Sequence, residues 1–171
     1  MTIRHRELVV SVADLLPHPG KTKRHEGDAV LDGLAVSASR VPEGAPVHVE
    51  VELQAVNDGI VAVGVVTAPW EGECRRCLKP ARGEVRSEVQ EVFERHPVEG
   101  ETRPLEGIDV DLTETARDAV LLELPLAPLC REDCAGLCPT CGADRNESGC
   151  DCVVETKDPR WAALEQITFD E

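Results

Sequence analysis

Tyrosine is absent from this chain, and among its 171 residues there are only two tryptophans, two phenylalanines and one methionine. A core built without large rings must be filled by Val, Leu, Ala and Ile. Such a core is lean, and a staple that adds folding energy would be valuable. Cations are also in short supply, with 18 Lys and Arg against 33 Asp and Glu and a net charge of −15. That balance excludes a broadly basic surface gripping phosphates without regard to sequence; it suits a basic partner. No apolar run approaches the ~20 residues needed to cross a bilayer. The start, MTIRHRELVVSVADLL, breaks its apolar stretch with charges and lacks a small-residue cleavage site. A cytoplasmic protein without membrane association follows as the expectation. No glycine-rich phosphate loop or nucleophile elbow is present, so the expectation is also of no enzyme and no small-molecule substrate.

Cysteine, by contrast, is plentiful and grouped. Cys130, Cys134, Cys138, Cys141, Cys150 and Cys152 fall within 23 residues, and Cys74 and Cys77 lie far upstream. In a reducing compartment such pairs bind metal more often than they form disulfides. Eight thiols make two complete sets of four, the number a closed structural Zn²⁺ site takes. Cys138-Pro-Thr-Cys141-Gly has knuckle spacing: two thiolates reach one ion and the glycine permits the tight turn. Cys150 and Cys152 complete this first site. Elimination then assigns Cys74, Cys77, Cys130 and Cys134 to a second site, which needs a long-range contact that spacing alone does not establish. One or two Zn²⁺ ions are the implied cofactors, and a filled thiolate shell leaves no position for a substrate.

The charge is uneven. Residues 1–25 carry Arg4, Arg6, Lys21, Lys23 and Arg24 against Glu7 and Asp14, a net of +3. Arg75, Arg76, Lys79, Arg82 and Arg86 surround the first cysteine pair. Two readings stand: these cations offset the charge of a four-thiolate centre, or Arg75, Arg76, Lys79 and Arg82 form a patch that contacts RNA or a partner.

Along the chain, Leu8–Val12 reads as a short strand, and the segment from Leu16 to Gly27 as an exposed mobile loop. Val30, Leu34, Val36 and Val41 show loose alternation. Val47, Val49, Val51 and Leu53 alternate with polar residues as a half-buried strand, Asn57-Asp58-Gly59 is turn chemistry, and Ile60–Ala68 returns as a second strand. Gly83–Arg95 reads as a further strand, and 96–107 as a solvated loop. A helix opens at Asp111 or Thr113 and ends before Pro125. Asp158-Pro159 opens a final short helix with Trp161, Leu164 and Ile167 on one face. The predicted fold is α+β: a curved, mostly antiparallel sheet, one mid-chain helix and a zinc-stapled C-terminal segment. It is expected as one domain over 1–171, with 1–28 a partly flexible basic segment and 126–171 binding zinc.

Two chemical alternatives find little support in the residues. A CxxC redox pair needs a helix N-terminus on a thioredoxin-like frame, whereas Cys74-Arg-Arg-Cys77 lies in strand-and-turn sequence. His48-Val-Glu50 matches half of a zinc-deaminase signature, but no cysteine pair follows a proline as the other half requires, and both residues face outward from their strand. The other histidines (His5, His18, His25 and His96) read as surface residues.

Cys74-Arg-Arg-Cys77-Leu-Lys-Pro, Ile108-Asp-Val-Asp-Leu112, Leu124-Pro-Leu-Ala-Pro-Leu-Cys130, Cys134-Ala-Gly-Leu-Cys138-Pro-Thr-Cys141-Gly and Asp158-Pro-Arg-Trp-Ala-Ala-Leu164 together resemble the YceD family over residues 45–167. The resemblance implies a non-enzymatic role, by binding, in accumulation or processing of the large-subunit (23S) ribosomal RNA. It implies ribosomal proteins or assembly factors as partners, with candidate direct contact to that RNA. Some members of that family keep the first cysteine pair and lack much of the C-terminal set, so the shared role would not depend on the latter. The alternative class is a zinc- and thiol-based redox-sensing adaptor unrelated to the ribosome.

Overall fold

A computed structural model of the protein describes residues 5–152. The clean alternation of 47–55 becomes strand β4 (Val47–Ala55), which buries Val47, Val49, Val51, Leu53 and Ala55 and turns His48, Glu50, Glu52 and Gln54 outward. Asn57 and Asp58 close a hairpin in which the Val56 N–H donates to the Gly59 carbonyl at 3.0 Å. β5 (Gly59–Glu73) then runs back beside β4 and continues five residues beyond the predicted end at Ala68. Pro69, with no N–H to donate, falls between Thr67, the last residue paired with β4, and Glu71, which pairs with β3 (Ser39–Arg40). One long strand therefore serves two short neighbours in turn.

β6 (Pro80–Glu94) pairs antiparallel with the whole length of β5. Its inward residues include Val85, Val89 and Phe93, so the spacing by four seen in the sequence is every second inward position of a strand. β7 (Arg103–Pro104) adds a short parallel edge to β6 inside the segment expected as plain loop. The sheet order is β2 (Thr22–Ala29), β4, β5, β6, β7, with β3 beside the upper part of β5.

β2 corrects the expectation of a mobile loop. Thr22–Ala29 pairs with β4 along its full eight residues, and only Ala29 of the strand is buried. A strand held by its backbone ladder, with polar side chains on both faces, carries no hydrophobic period to read. β1 (Val9–Ser11) pairs with β8 (Asp109–Asp111) as a separate two-stranded ribbon, preceded by a 3₁₀ turn at Arg6–Leu8. Leu8, Val12 and Leu15 from this region are fully buried, so much of the N-terminal segment is part of the core.

α1 (Thr113–Glu123) begins where the Asp111 carboxylate accepts the Thr113 N–H at 2.9 Å. Ala116, Ala119 and Val120 face the core as α1 packs on β6 and β5, and Pro125 follows its end. The small inward alanines let the helix approach the sheet closely, consistent with a core in which Phe93 is the one large ring among the fully buried side chains. The predicted final helix lies outside the described residues.

Candidate metal centres

The long β5–β6 hairpin carries the first cysteine pair at its tip. Its knuckle is closed by two backbone bonds: Leu78 N–H to the Cys74 carbonyl and Cys74 N–H to the Lys79 carbonyl, both 2.8 Å. After α1, residues 124–130 run back to this tip. The Ser39 hydroxyl donates to the Pro125 carbonyl at 2.8 Å, and the Arg75 N–H donates to the Pro128 carbonyl at 2.9 Å. Cys130 and Cys134 are delivered against the hairpin by these contacts.

The structure brings the eight thiols into two groups, Cys74/Cys77/Cys130/Cys134 and Cys138/Cys141/Cys150/Cys152; within each, the sulfurs lie within 4.8 Å of one another. In the first, Cys74 and Cys134 are 3.8 Å apart at sulfur and Cys77 and Cys130 are 3.6 Å apart. Disulfide sulfurs sit at about 2.05 Å, whereas four sulfurs around a tetrahedral ion at about 2.3 Å are about 3.8 Å apart. The spacing therefore fits four ligands sharing one ion. Each tetrad can hold a metal ion, and a shell of four protein donors would leave no open coordination position. Among the described residues, these eight cysteines make up the groups able to do so.

Backbone amides converge on selected sulfurs. Although burial works against ionisation, the amides of Cys130, Cys77 and Arg76 lower the Cys74 thiol to about 6. In the second group the amides of Cys141 and Thr140, with the Cys150 thiol, lower Cys138 to about 6. Neighbouring sulfurs then resist further charge. Burial and the other three thiols push Cys130 up to about 12, and Cys141 with burial does the same to Cys152. Cys77 also moves up, because burial and the sulfurs of Cys74 and Cys134 outweigh the favourable Lys79 amide. Crowded thiols that cannot all ionise together are what a cation would relieve.

The two centres are tied to each other by residues between their ligands. The Arg76 guanidinium donates to the carbonyls of Glu132 (3.1 Å) and Cys134 (2.9 Å), while the Leu137 N–H returns a bond to the Arg76 carbonyl at 2.9 Å. Gly136 lies against that same carbonyl at φ +73°, where a Cβ would come within 2.9 Å of the oxygen. Asn146 uses its whole amide: Nδ2 donates to the Cys134 sulfur (3.5 Å) and to Asp144 (2.7 Å), and Oδ1 accepts from the Ala135 N–H and from Arg131, both at 2.8 Å. Lys79, on the first knuckle, pairs with Asp144 at 2.7 Å and with Glu147 in the loop of the second. That contact holds the Lys79 ammonium above its ordinary range and, with Asn146, lowers the Asp144 carboxyl to about 2.

Of the four cations expected as a contact patch, Arg76 and Lys79 are thus engaged in joining the centres. Arg75 and Arg82 remain exposed and, among the described residues, form no ion pair. They line a shallow cleft with Leu78, Pro80 and residues 35–40. His48 lies on the outer sheet face against Asp28 (3.0 Å) and Glu26 (3.7 Å), outside both cysteine groups. The roles of Asn146, Asp144 and Arg76 had no readable motif in the sequence; the one local sign is Asp144-x-Asn146, whose Asx turn places the Asn146 N–H 2.9 Å from the Asp144 carboxylate.

The family model described as "Large ribosomal RNA subunit accumulation protein YceD" matches residues 62–168, from within β5 through both tetrads. This chain belongs to the YceD family. An uncharacterized protein of Mycobacterium tuberculosis is 38% identical over 169 residues, covering 94% of this chain and 81% of the relative. One from Mycobacterium leprae is 35% identical over 135 residues, covering 71% and 58%. A YceD relative named large ribosomal RNA subunit accumulation protein YCED homolog 1, chloroplastic, from Arabidopsis thaliana, is 26% identical over 156 residues, covering 72% of this chain and 49% of its own length. No solved structure matches. Among the described residues of this YceD-family chain, no helix is long and apolar enough to cross a membrane.

Proposed function

We propose that this chain is a non-enzymatic cytoplasmic factor that supports accumulation of large-subunit 23S ribosomal RNA by binding, and that two Zn²⁺ ions hold its binding surfaces in place. The support is the family relationship, which carries a ribosome-related role, together with two four-cysteine groups whose geometry suits closed structural sites. The observation that carries the reading is the linkage of both centres through Arg76, Lys79 and Asn146, by which bound metal would hold the tip of the hairpin and residues 130–152 as one rigid body. A rigid, acidic docking body suits basic ribosomal proteins or assembly factors. Direct RNA contact, if made at the hairpin tip, falls to Arg75 and Arg82.

The test is depletion of the protein followed by quantification of ribosomal RNA. Mature large-subunit RNA should fall relative to small-subunit RNA and recover when the chain is supplied again. An unchanged ratio would remove the ribosomal role. Metal analysis of the reduced protein should find two zinc equivalents per chain.

A further inference from the structure

From Ile60 to Ala68, β5 is apolar on both of its faces, yet among the described residues only the inner face packs into the core. Ile60, Ala62, Val66 and Ala68 point into the core, whereas Val61, Val63 and Val65 lie on the outer face, where Val63 is 49% exposed. Strand propensity does not require this, since threonine would serve as well on a solvated face. The pairing register places Val92 opposite Val61, extending the aliphatic track onto β6. Apolar side chains left contiguous on a surface mark a place where something docks.

The flanks say what that something is. Glu26, Glu50, Val65 and Glu88 form one row across β2, β4, β5 and β6, so three acids bracket the track. Glu26 sits directly opposite Glu50, an arrangement that costs stability in the isolated sheet. His48 neighbours Glu26, and Arg24 neighbours Glu52 at 3.8 Å, but Glu50 and Glu88 face the track with no ion-pair partner among the described residues. Arg86, on the next row, is the cation at that end. Acids at this density repel RNA. They equally disfavour a second copy of a chain with net charge −15, and they disfavour residues 153–171, which hold five acids against two bases.

We propose that the outer face of the sheet docks a cationic protein segment, its aliphatic side chains lying along Val61, Val63 and Val65 and its Lys or Arg residues reaching Glu26, Glu50 and Glu88. The proposal rests on the reading of this chain as a binding factor and names the kind of partner and the place. Docking energy comes from covering the valines, and the acids provide orientation and on-rate.

The test uses the full-length, metal-loaded protein and a short labelled lysine–leucine peptide, with the matching lysine–serine peptide as comparator. Val63→Ser with Val65→Ser, and separately Glu50→Gln with Glu88→Gln, alter only outward side chains. Each pair should weaken the lysine–leucine peptide about fivefold or more, and the lysine–serine peptide should bind weaker by a similar factor. Equal binding by parent and both variants, or equal binding of the two peptides, overturns the proposal. So does direct binding of single-stranded RNA or of a synthetic peptide of residues 153–171 that Val63→Ser with Val65→Ser abolishes, or a parent dimer that Val63→Glu converts to monomer. Complementation of a depleted strain separates the two claims. A parent chain that fails to restore large-subunit RNA refutes the ribosomal reading whatever the peptide does, whereas a Val63→Ser/Val65→Ser chain that restores it fully refutes only the docking face.

Discussion

Leu78 and Gly142 occupy the same position in two turns that share one hydrogen-bond pattern. Each follows the second cysteine of a C-x-x-C pair, at φ 59° and 73°, and each donates its N–H to the carbonyl of the first cysteine at 2.8 Å. The turns continue alike, with Cys74 N–H on Lys79 and Cys138 N–H on Ala143, and with Glu73 paired to Pro80 as Leu137 is to Asp144. The second knuckle is the first without its long strands.

The left-handed conformation costs a leucine about 1–2 kcal/mol, and glycine nothing comparable. Leu78 is 62% exposed, so little packing holds it there. Leu78→Gly should therefore stabilise the protein by about 0.5 kcal/mol after the added unfolded-state entropy is counted, while Gly142→Ala should destabilise it by about 1 kcal/mol. Chemical denaturation of the metal-loaded protein measures both; a loss of stability in Leu78→Gly would show that this side chain is held by contacts beyond the described residues.

Removing one ligand from each centre should give different failures. Cys134→Ser lowers the metal content by one equivalent and releases residues 124–137 from the hairpin tip. Cys141→Ser also lowers it by one, but leaves that junction bonded through Arg76 and Leu137. Native mass spectrometry counts the ions, and hydrogen exchange at the Leu137 amide distinguishes the two variants: protection is lost in the first and retained in the second.

Asn146 supplies a donor to the Cys134 sulfur from outside the ligand set. Asn146→Asp replaces that N–H with a lone pair beside a thiolate, and metal affinity of the first centre should fall about 10–100-fold, as for other residues that orient ligands. Lys79→Met should loosen the second knuckle against the first, because Asp144 and Glu147 lose their shared cation. Competition with a chelator, read separately for each centre, checks both; an Asn146→Asp protein with unchanged retention would show the contact to be incidental.

Phe93 is 1% exposed on the inner face of the sheet, in a core otherwise made of aliphatic residues. No other ring among the fully buried side chains can move into its space, so Phe93→Ala should cost about 3–5 kcal/mol. Thermal melting with and without metal will tell whether the centres rescue it. They should not restore the lost difference, because the cysteine cluster, with Ala81, Leu129 and Leu137, is distinct from that core and meets it at Trp70, which packs against both.

How much of this was legible depends on where each residue's energy comes from. β4 was readable to within a few residues because burial on one face imposes period two on the side chains. β2 was not, since its stability lies in backbone bonds to β4 that any polar sequence can make. β5 reads as ending at Ala68, whereas the strand runs on through Pro69 to Glu73 with a change of neighbour. For Lys79 and Arg76 the sequence leaves two readings open, charge offset of a thiolate centre or a contact patch, because it shows charge without showing the carboxylates and carbonyls folded against it.

The spacing of its cysteines determined by itself that this chain carries knuckles, because two thiols separated by two residues share a turn whatever the rest of the fold does. Composition likewise settled that the core would be aliphatic and the surface acidic. Which distant pair completes each set was decided only when β5 and β6 carried Cys74 and Cys77 out to meet Cys130 and Cys134, a contact across more than fifty residues that no local rule contains. The same holds for the outer valines: their pattern is that of a buried strand, and only the three-dimensional sheet shows that nothing among the described residues covers them.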